Sequence, residues 1–363
     1  MSPSHEAQTR ADAADLAGRI NLYDLAPALL ASALSDAVEP PFRAKQVAEW
    51  AHRGGVSSFG SMTNLPKQVR EALGQRFDLS FPQVSERTDS SPDGSRKYLF
   101  RLRDGNVIES VYMPMSDRTT VCVSSQAGCA VGCTFCVTGI FGAGRNLSPS
   151  EIVGQYYTIR NEQKVASEQM NVVFMGMGEP LLNLDHVMTS LEILYRDISP
   201  RRVTLSTSGI IPGIEVVAAM KHRPNLAVSI NAPDKSRREQ VMPITKKYPL
   251  DELMESLRAF PLERGRSITA EYVLIDKFND SAADAGQLAR LLRGIDAKVN
   301  VIPLNEDPHL ADWMKRPSDA VIDRFARTLV KNGVHVTVRR SKGLDIAAAC
   351  GQLRGRNTKR RAE

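Results

Sequence analysis

Apolar residues along the chain follow two rhythms. Leu22, Leu25, Leu29, Leu30 and Leu34 recur at helical spacing; Pro40-Pro41 breaks the run, and Phe42-Arg43-Ala44-Lys45-Gln46-Val47-Ala48-Glu49-Trp50 resumes it. Met62-Thr63-Asn64-Leu65-Pro66-Lys67 reads as a turn into a further short helix. Residues 21–90 are therefore expected to form a small N-terminal helical domain, preceded by a polar, Ala-rich flexible tail over 1–20. From about residue 95 the rhythm shortens. Tyr98 to Leu102 and Val107 to Tyr112, separated by Asp104-Gly105, predict a β-hairpin linker over 91–118. Short apolar runs then alternate with longer helical stretches. They are Thr120 to Ser124, Asn171 to Gly176, Arg202 to Thr207, Asn225 to Ile230, Ile268 to Ile275, Lys298 to Leu304 and Val334 to Arg340. Strands separated by helices predict parallel βαβ units, and the count suits an α/β fold of partial (β/α)6 barrel type over 119–353. Ser148-Pro149-Ser150-Glu151 carries an N-cap, a proline at the first helical position and a capping-box glutamate, so a helix starts there. Residues 354–363 form a basic tail.

Composition adds constraints. Of 363 residues, 42% are apolar and 24% charged, values of a soluble globular protein. No run approaches a membrane span and the N-terminus lacks a signal peptide's apolar region, so the expected location is cytoplasmic with no membrane partner. The net charge of +6 suits a polyanionic partner and equally suits simple solubility. Three of the five cysteines, Cys129, Cys133 and Cys136, fall in Gly-Cys-Ala-Val-Gly-Cys-Thr-Phe-Cys. Three thiolates on one tight loop can hold an iron–sulfur cubane whose fourth iron stays open to a ligand. A zinc site completed by Cys122 or a histidine is the alternative. Cys350, among alanines, reads either as a small buried hydrophobe or as a reactive sulfur on a loop bracketed by Gly343 and Gly351.

In parallel barrels reactive groups gather at the C-terminal ends of strands. The cysteine loop follows the first predicted strand, Gly176-Met177-Gly178-Glu179-Pro180 the second and Ser206-Thr207-Ser208-Gly209 the third; Ser229-Ile230-Asn231 ends the fourth and Asn305 the sixth. Glycines let a backbone approach a ligand, Glu179 offers a carboxylate to an ammonium group, and the compact hydroxyls and amides suit a ribose or a carboxylate. A plain strand-to-helix turn also explains Gly-x-Gly-Glu.

The C-x3-C-x2-C spacing resembles that of radical S-adenosylmethionine (radical SAM) enzymes, and the chain from Asn21 to Leu353 is similar to one family among them, the RlmN and Cfr methyltransferases of adenosine in RNA. Ser124 to Cys129, Arg145 to Pro149, Val173 to Pro180 and Ala348 to Leu353 carry the resemblance; Phe42 to Gln46 and Met62 to Pro66 resemble the RlmN branch. It implies that Cys129, Cys133 and Cys136 ligate a 4Fe-4S cluster, and that Gly178, Glu179, Ser206, Ser229, Ile230, Asn231 and Asn305 bind SAM. Cys350 would accept a methyl group from one SAM, and a second SAM would yield a 5′-deoxyadenosyl radical that activates that methyl. The methylene would add to carbon 2 of an adenine in 23S rRNA or tRNA, Glu109 would accept the proton, and Cys122 would resolve the adduct as a disulfide with Cys350. An external electron donor such as flavodoxin and a monomeric enzyme are part of that expectation. For Glu109, a solvent-facing strand position is the competing explanation.

Two positions depart from the family pattern: Ser-Leu-His is Ser229-Ile230-Asn231 here, and Leu304 stands where an aromatic is expected. Methylation of adenine carbon 8, as in the Cfr branch, uses the same catalytic residues and is the main alternative. A radical SAM enzyme of small molecules and a zinc-dependent RNA-binding protein are the more distant ones.

Overall fold

The computed structural model describes residues 18–355; most of the expected N-terminal tail, and Arg356, Lys359, Arg360 and Arg361 of the basic tail, lie outside the described residues. Ile20–Asn21 (β1) pairs in parallel with Phe77–Asp78 (β2) and closes a small module built on helices α1 (Pro27–Ser35), α2 (Phe42–His52) and α3 (Lys67–Arg76). Leu22, Leu30 and Leu34, with Val47, Ala51 and Leu73 from the other helices, are buried in its core.

The rest of the chain is organised by one ten-stranded sheet. Seven strands run parallel: β6 (Thr119–Cys122), β7 (Met170–Phe174), β8 (Val203–Thr207), β9 (Asn225–Ser229), β10 (Ile268–Leu274), β11 (Ala297–Pro303) and β12 (His335–Val338). Each matches an apolar run to within two residues at its start. Between them lie α4 (Val137–Phe141), α5 (Pro149–Gln163), α6 (Leu184–Leu194), α7 (Ile211–Ala219), α8 (Lys235–Val241), α9 (Leu250–Ala259), α10 (Ala282–Leu291) and α11 (Asp319–Lys331). This is an α/β partial barrel, as expected. Along β10, Ile268, Ala270, Tyr272 and Leu274 are fully buried, while the alternate Glu271 and Val273 line the barrel cavity.

Two expectations change. The hairpin is no linker: β4 (Arg96–Arg101) and β5 (Val107–Pro114) pair antiparallel, and β5 pairs antiparallel with β6, so the hairpin continues the barrel wall. A further strand, β3 (Gln83–Asp89), caps it. In β3 Val84 is the one apolar residue, and the rest alternate between exposed and half-buried polar side chains, so no apolar rhythm announces it.

The helical module docks on α5. The α5 cap forms as its sequence predicts, Ser148 accepting from the Glu151 amide with the reciprocal bond present. Further along α5, Arg160 donates to the carbonyls of Arg53 (3.1 Å) and Gly54 (2.6 Å) and pairs with Asp197; Asn161 donates to Gly55 (3.0 Å), and the Tyr157 hydroxyl to His52. Burial, then the charge of Arg196, lowers the His52 imidazole from its ordinary 6.5 to about 4. Its neutral form is therefore the one the fold accepts. The stability this confers is complete above pH 6.5 and is lost as pH falls toward about 4, by up to roughly 3 kcal/mol. Thermal melts at neutral pH and near pH 5 should show the wild type losing more stability on acidification than His52→Leu; an equal loss in both would assign the acid sensitivity elsewhere.

Candidate active site

The loop after β6 is fixed before it reaches its first cysteine. Val123 continues the ladder to the Val173 carbonyl (3.0 Å). The Ser124 hydroxyl donates to the Glu109 carbonyl (2.6 Å) and accepts from the Met177 amide (2.8 Å). Gln155 of α5 accepts from the Ser124 amide (2.8 Å) and the Ser110 hydroxyl (2.5 Å) and donates to the Ser124 carbonyl (3.0 Å). The hairpin, the cysteine loop, the β7 loop and α5 thus meet at one buried node. The loop's return arm passes so close that a Cβ on Gly144 would lie 2.0 Å from the Ala127 carbonyl oxygen, which only glycine tolerates.

Cys129, Cys133 and Cys136 line one cavity at the C-terminal mouth of the barrel, with about 960 Å³ of empty space counting its open side. Gly178, Glu179, Ser206, Ser229, Asn305 and Cys350 share it. At Gly178 φ is +100° and a Cβ would lie 2.6 Å from the side chain of Gln126, so the turn requires glycine. Glu179 turns its carboxylate inward, accepting from the amides of Leu181 (3.0 Å) and Ser208 (2.6 Å). Burial raises its carboxyl above the usual range against those bonds.

Not every expected residue reaches the cavity. Ile230 is fully buried, and Asn231 lies behind the wall: its Oδ1 accepts from the Val273 amide (2.8 Å) and its Nδ2 donates to Met242 Sδ (3.2 Å). Met242 itself lines the cavity, so Asn231 shapes the wall from behind. Cys122 closes β6 outside the lining. Burial, then the neighbouring Cys350, pushes its thiol up to about 12.

Glu109 is 4% exposed, which removes the solvent-facing explanation for it. Its Oε1 pairs with Lys97 Nζ (3.4 Å) and its Oε2 accepts from the Arg354 amide (2.9 Å). Cys350 sits on a strap, residues 343–354, seated between the hairpin and the barrel mouth. On the mouth side Asn305 Nδ2 donates to the Cys350 carbonyl (3.0 Å), the Val137 amide to that of Gly351 (2.7 Å), and Gln352 to the carbonyl of Glu306 (3.0 Å).

Three features escaped the sequence reading. Arg238 is wholly buried: its guanidinium donates to the carbonyls of Ser208 (2.7 Å), Ser229 (2.9 Å) and Ile230 (3.2 Å) and to Thr245 Oγ1 (2.7 Å). Desolvation lowers it from 12.5 to about 10, still charged at neutral pH. Glu271 lines the cavity from β10, held by Asn300 Nδ2 (2.7 Å). Lys97 contacts both Glu109 and the strap. Nothing in the periodicity separates these from ordinary surface charges on a helix or strand.

The donor set suits an iron–sulfur cluster. Between residues 123 and 147 the loop has no Asp, Glu or His; of its residues that line the cavity only the three cysteines carry a metal-ligating side chain, beside Val131, Phe135 and Gly139, and a tight glycine turn at Gly178 leaves the facing wall open to a ligand. Burial pushes all three thiols up, Cys129 to about 12, so ligand binding there must release protons. A partial barrel with three thiols at its mouth defines a radical SAM enzyme, and residues 123–289 match the radical SAM superfamily model. Residues 20–79 match the ribosomal RNA large subunit methyltransferase N-terminal domain. The chain is 46% identical over 345 residues to a dual-specificity RNA methyltransferase RlmN of Syntrophotalea carbinolica, covering 94% of this chain and 91% of that one. With the RlmN of Anaeromyxobacter dehalogenans identity is 44%, covering 92% and 91%. A crystal structure of a radical SAM methyltransferase from Sphaerobacter thermophilus superposes with a TM-score of 0.86 at 43% identity, covering 92% of this chain and 99% of that one. The chain belongs to the RlmN family of dual-specificity RNA methyltransferases. It is an SAM-dependent RNA methyltransferase with a 4Fe-4S cluster and SAM as cofactors. The zinc and small-molecule readings fall with that result. Among the described residues no helix is long and apolar enough to cross a membrane.

Removing the Arg238 guanidinium strands three buried carbonyls at the mouth. Arg238→Met should lower unfolding stability by about 3 kcal/mol or more. Chemical denaturation checks this, and a change within experimental error would show that the mouth holds without the charge.

Proposed function

We propose that the enzyme methylates carbon 2 of adenosine in 23S rRNA and in tRNA by way of a methylated Cys350. The observation that carries the reading is that Cys350, from the far end of the chain, shares one cavity with the three cysteines of the loop. The RlmN names of its relatives and the N-terminal match support carbon 2 over carbon 8. Cys129, Cys133 and Cys136 hold the cluster; Glu179 faces the ammonium end of SAM, and Ser206, Ser229 and Asn305 supply its polar contacts. When bound, the cluster and SAM supply the methyl group and the hydrogen-abstracting radical that activates it.

The chain's own residues do the rest. Cys350 carries the methyl as a thioether, with its backbone anchored through Asn305. Carbon 2 of adenine lies between two electron-withdrawing nitrogens and resists an electrophilic methyl, so the carbon on Cys350 must add as a radical. Glu109, buried and ringed by donors, accepts the proton that the adduct loses. The Cys122 sulfur bonds to the Cys350 sulfur as the carbon–sulfur bond breaks, with that bond's electron pair and the Cys122 proton passing to the carbon to complete the methyl group. The electron the radical adduct loses with its proton would return to the cluster that gave it, the disulfide is left for external reduction, and an external electron donor such as flavodoxin serves the enzyme. The protein acts as a monomer in the cytoplasm.

Cys350→Ala should retain the cluster's absorption and lose all methyl transfer, whereas Cys122→Ala should leave RNA covalently attached through Cys350. Glu109→Gln should slow turnover by about 10²–10⁴-fold while Cys350 is still methylated; unaltered turnover would remove the base. RNA from cells with and without the protein should differ in 2-methyladenosine by mass spectrometry. A difference confined to 8-methyladenosine would overturn the carbon-2 reading.

A further inference from the structure

Lys97 lies on β4, where Leu99 pairs with Glu109 and Lys97 with Val111, so Lys97 and Glu109 are diagonal neighbours on one face of the hairpin. Both side chains are largely withdrawn from solvent. The ammonium group contacts two acceptors, Glu109 Oε1 at 3.4 Å and the Ala347 carbonyl at 3.2 Å. The second carboxylate oxygen of Glu109 accepts from the Arg354 amide at 2.9 Å. Ala347 and Arg354 bracket Cys350. The carboxylate is therefore linked to the methyl-carrying strap on both sides of its sulfur, through a side chain on one and directly on the other. Ala347 also has φ +49°, a left-handed conformation unfavourable for alanine, and its carbonyl is the one Lys97 holds.

The remaining contacts of this part of the strap, and of Lys342 just before it, also fall on the hairpin side. Asp345 accepts from the Ser90 hydroxyl (2.7 Å) and the Ser91 amide (3.3 Å), Asp93 from the Gly343 amide (2.8 Å), and the Pro114 carbonyl from Lys342 (2.6 Å). These exposed or half-buried contacts seat the strap but touch no residue of the reaction. Among the described hairpin residues, Lys97 is the one whose side chain touches both the strap and the carboxylate.

We infer that Lys97 is a positioning residue that couples the placement of Glu109 to the docking of the Cys350 strap. The inference rests on the roles proposed above for Glu109 and Cys350. With the strap seated, both carboxylate oxygens are engaged; a change in the strap's position alters what Glu109 can accept, and Lys97 holds the carboxylate toward the strap throughout.

The test uses full-length, cluster-loaded enzyme and separates the two half-reactions: methyl loading of Cys350, read by intact mass, and release of methylated RNA from preloaded enzyme. Lys97→Met should load Cys350 at the wild-type rate to within about twofold. It should release product on the order of 10²-fold more slowly, and Lys97→Arg should recover part of that loss. Added to Glu109→Gln, Lys97→Met should change the release rate by no more than about twofold, because its effect passes through that carboxylate. The inference is overturned if Lys97→Met impairs loading and release equally, as a folding lesion would, or if its effect multiplies in full with that of Glu109→Gln. It is also overturned if Lys97→Met behaves as wild type while Glu109→Gln is slow. If Glu109→Gln itself turns over normally, the proton-acceptor reading beneath fails, and the inference falls with it.

Discussion

A guanidinium with no carboxylate paired to it among the described residues holds the barrel mouth together. Arg238 reaches from α8 under the ends of two neighbouring strands and satisfies the carbonyls of Ser208, Ser229 and Ile230 where the sheet's own ladder has run out. Strand ends in a parallel barrel leave such acceptors facing inward, and an unpartnered buried carbonyl costs about as much as a lost hydrogen bond. A flat cation with five N–H donors answers four acceptors at once, one more than the three N–H groups of a lysine could serve. The arrangement leaves a positive charge close to Cys133, where it favours the thiolate against the desolvation that otherwise raises the thiol. The same group therefore shapes the cavity and eases the deprotonation that a cluster ligand requires.

The second constraint is the seating of the strap. Gly343 and Gly351 adopt φ of +65° and +87° and let the chain turn into and out of it. Between them the backbone alternates partners, the hairpin on one side and the cysteine loop on the other. A sulfur placed there is near both the cysteine loop and Cys122, although its segment lies more than two hundred residues away in sequence. The hairpin's fusion to the barrel sheet matters for the same reason: as a freely hinged linker it would carry Glu109 and Lys97 without fixing them against the strap.

What was legible in the sequence follows from the kind of signal involved. Strand spacing, the α5 capping box and the cysteine loop depend on local order, and each stands where periodicity or spacing put it. β3 was hidden because Val84 is its only apolar residue, too few to set a strand rhythm. The burial of Glu109 was hidden because a charged residue in an apolar run reads the same whether its partner is water or a lysine two strand positions across. Arg238 stands in the run Lys235-Ser236-Arg237-Arg238-Glu239, the composition of a solvated helix, and only the tertiary fold distinguishes it from Arg237. Partners distant in sequence determine these roles, and no local pattern encodes them.

The two departures from the family pattern have physical explanations of the same kind. Asn231 has φ +57°, in the left-handed region that asparagine and histidine visit far more readily than most residues. The chain must turn there as β9 ends, so either residue satisfies the backbone. In this protein the amide goes further, bridging the Val273 amide and Met242 and leaving the cavity wall to methionine. Leu304 is buried in a small cluster with Val241, Met242, Ile275, Leu310 and Met314, and it too lines the cavity. An aliphatic wall built from Met242 and Leu304 thus takes the place of a polar and an aromatic one. The two substitutions meet at the same apolar cluster, so they are best understood as one repacking of the wall against which Cys133 and Phe135 of the cysteine loop pack, compatible with the family's chemistry because neither supplies a sulfur or a proton acceptor.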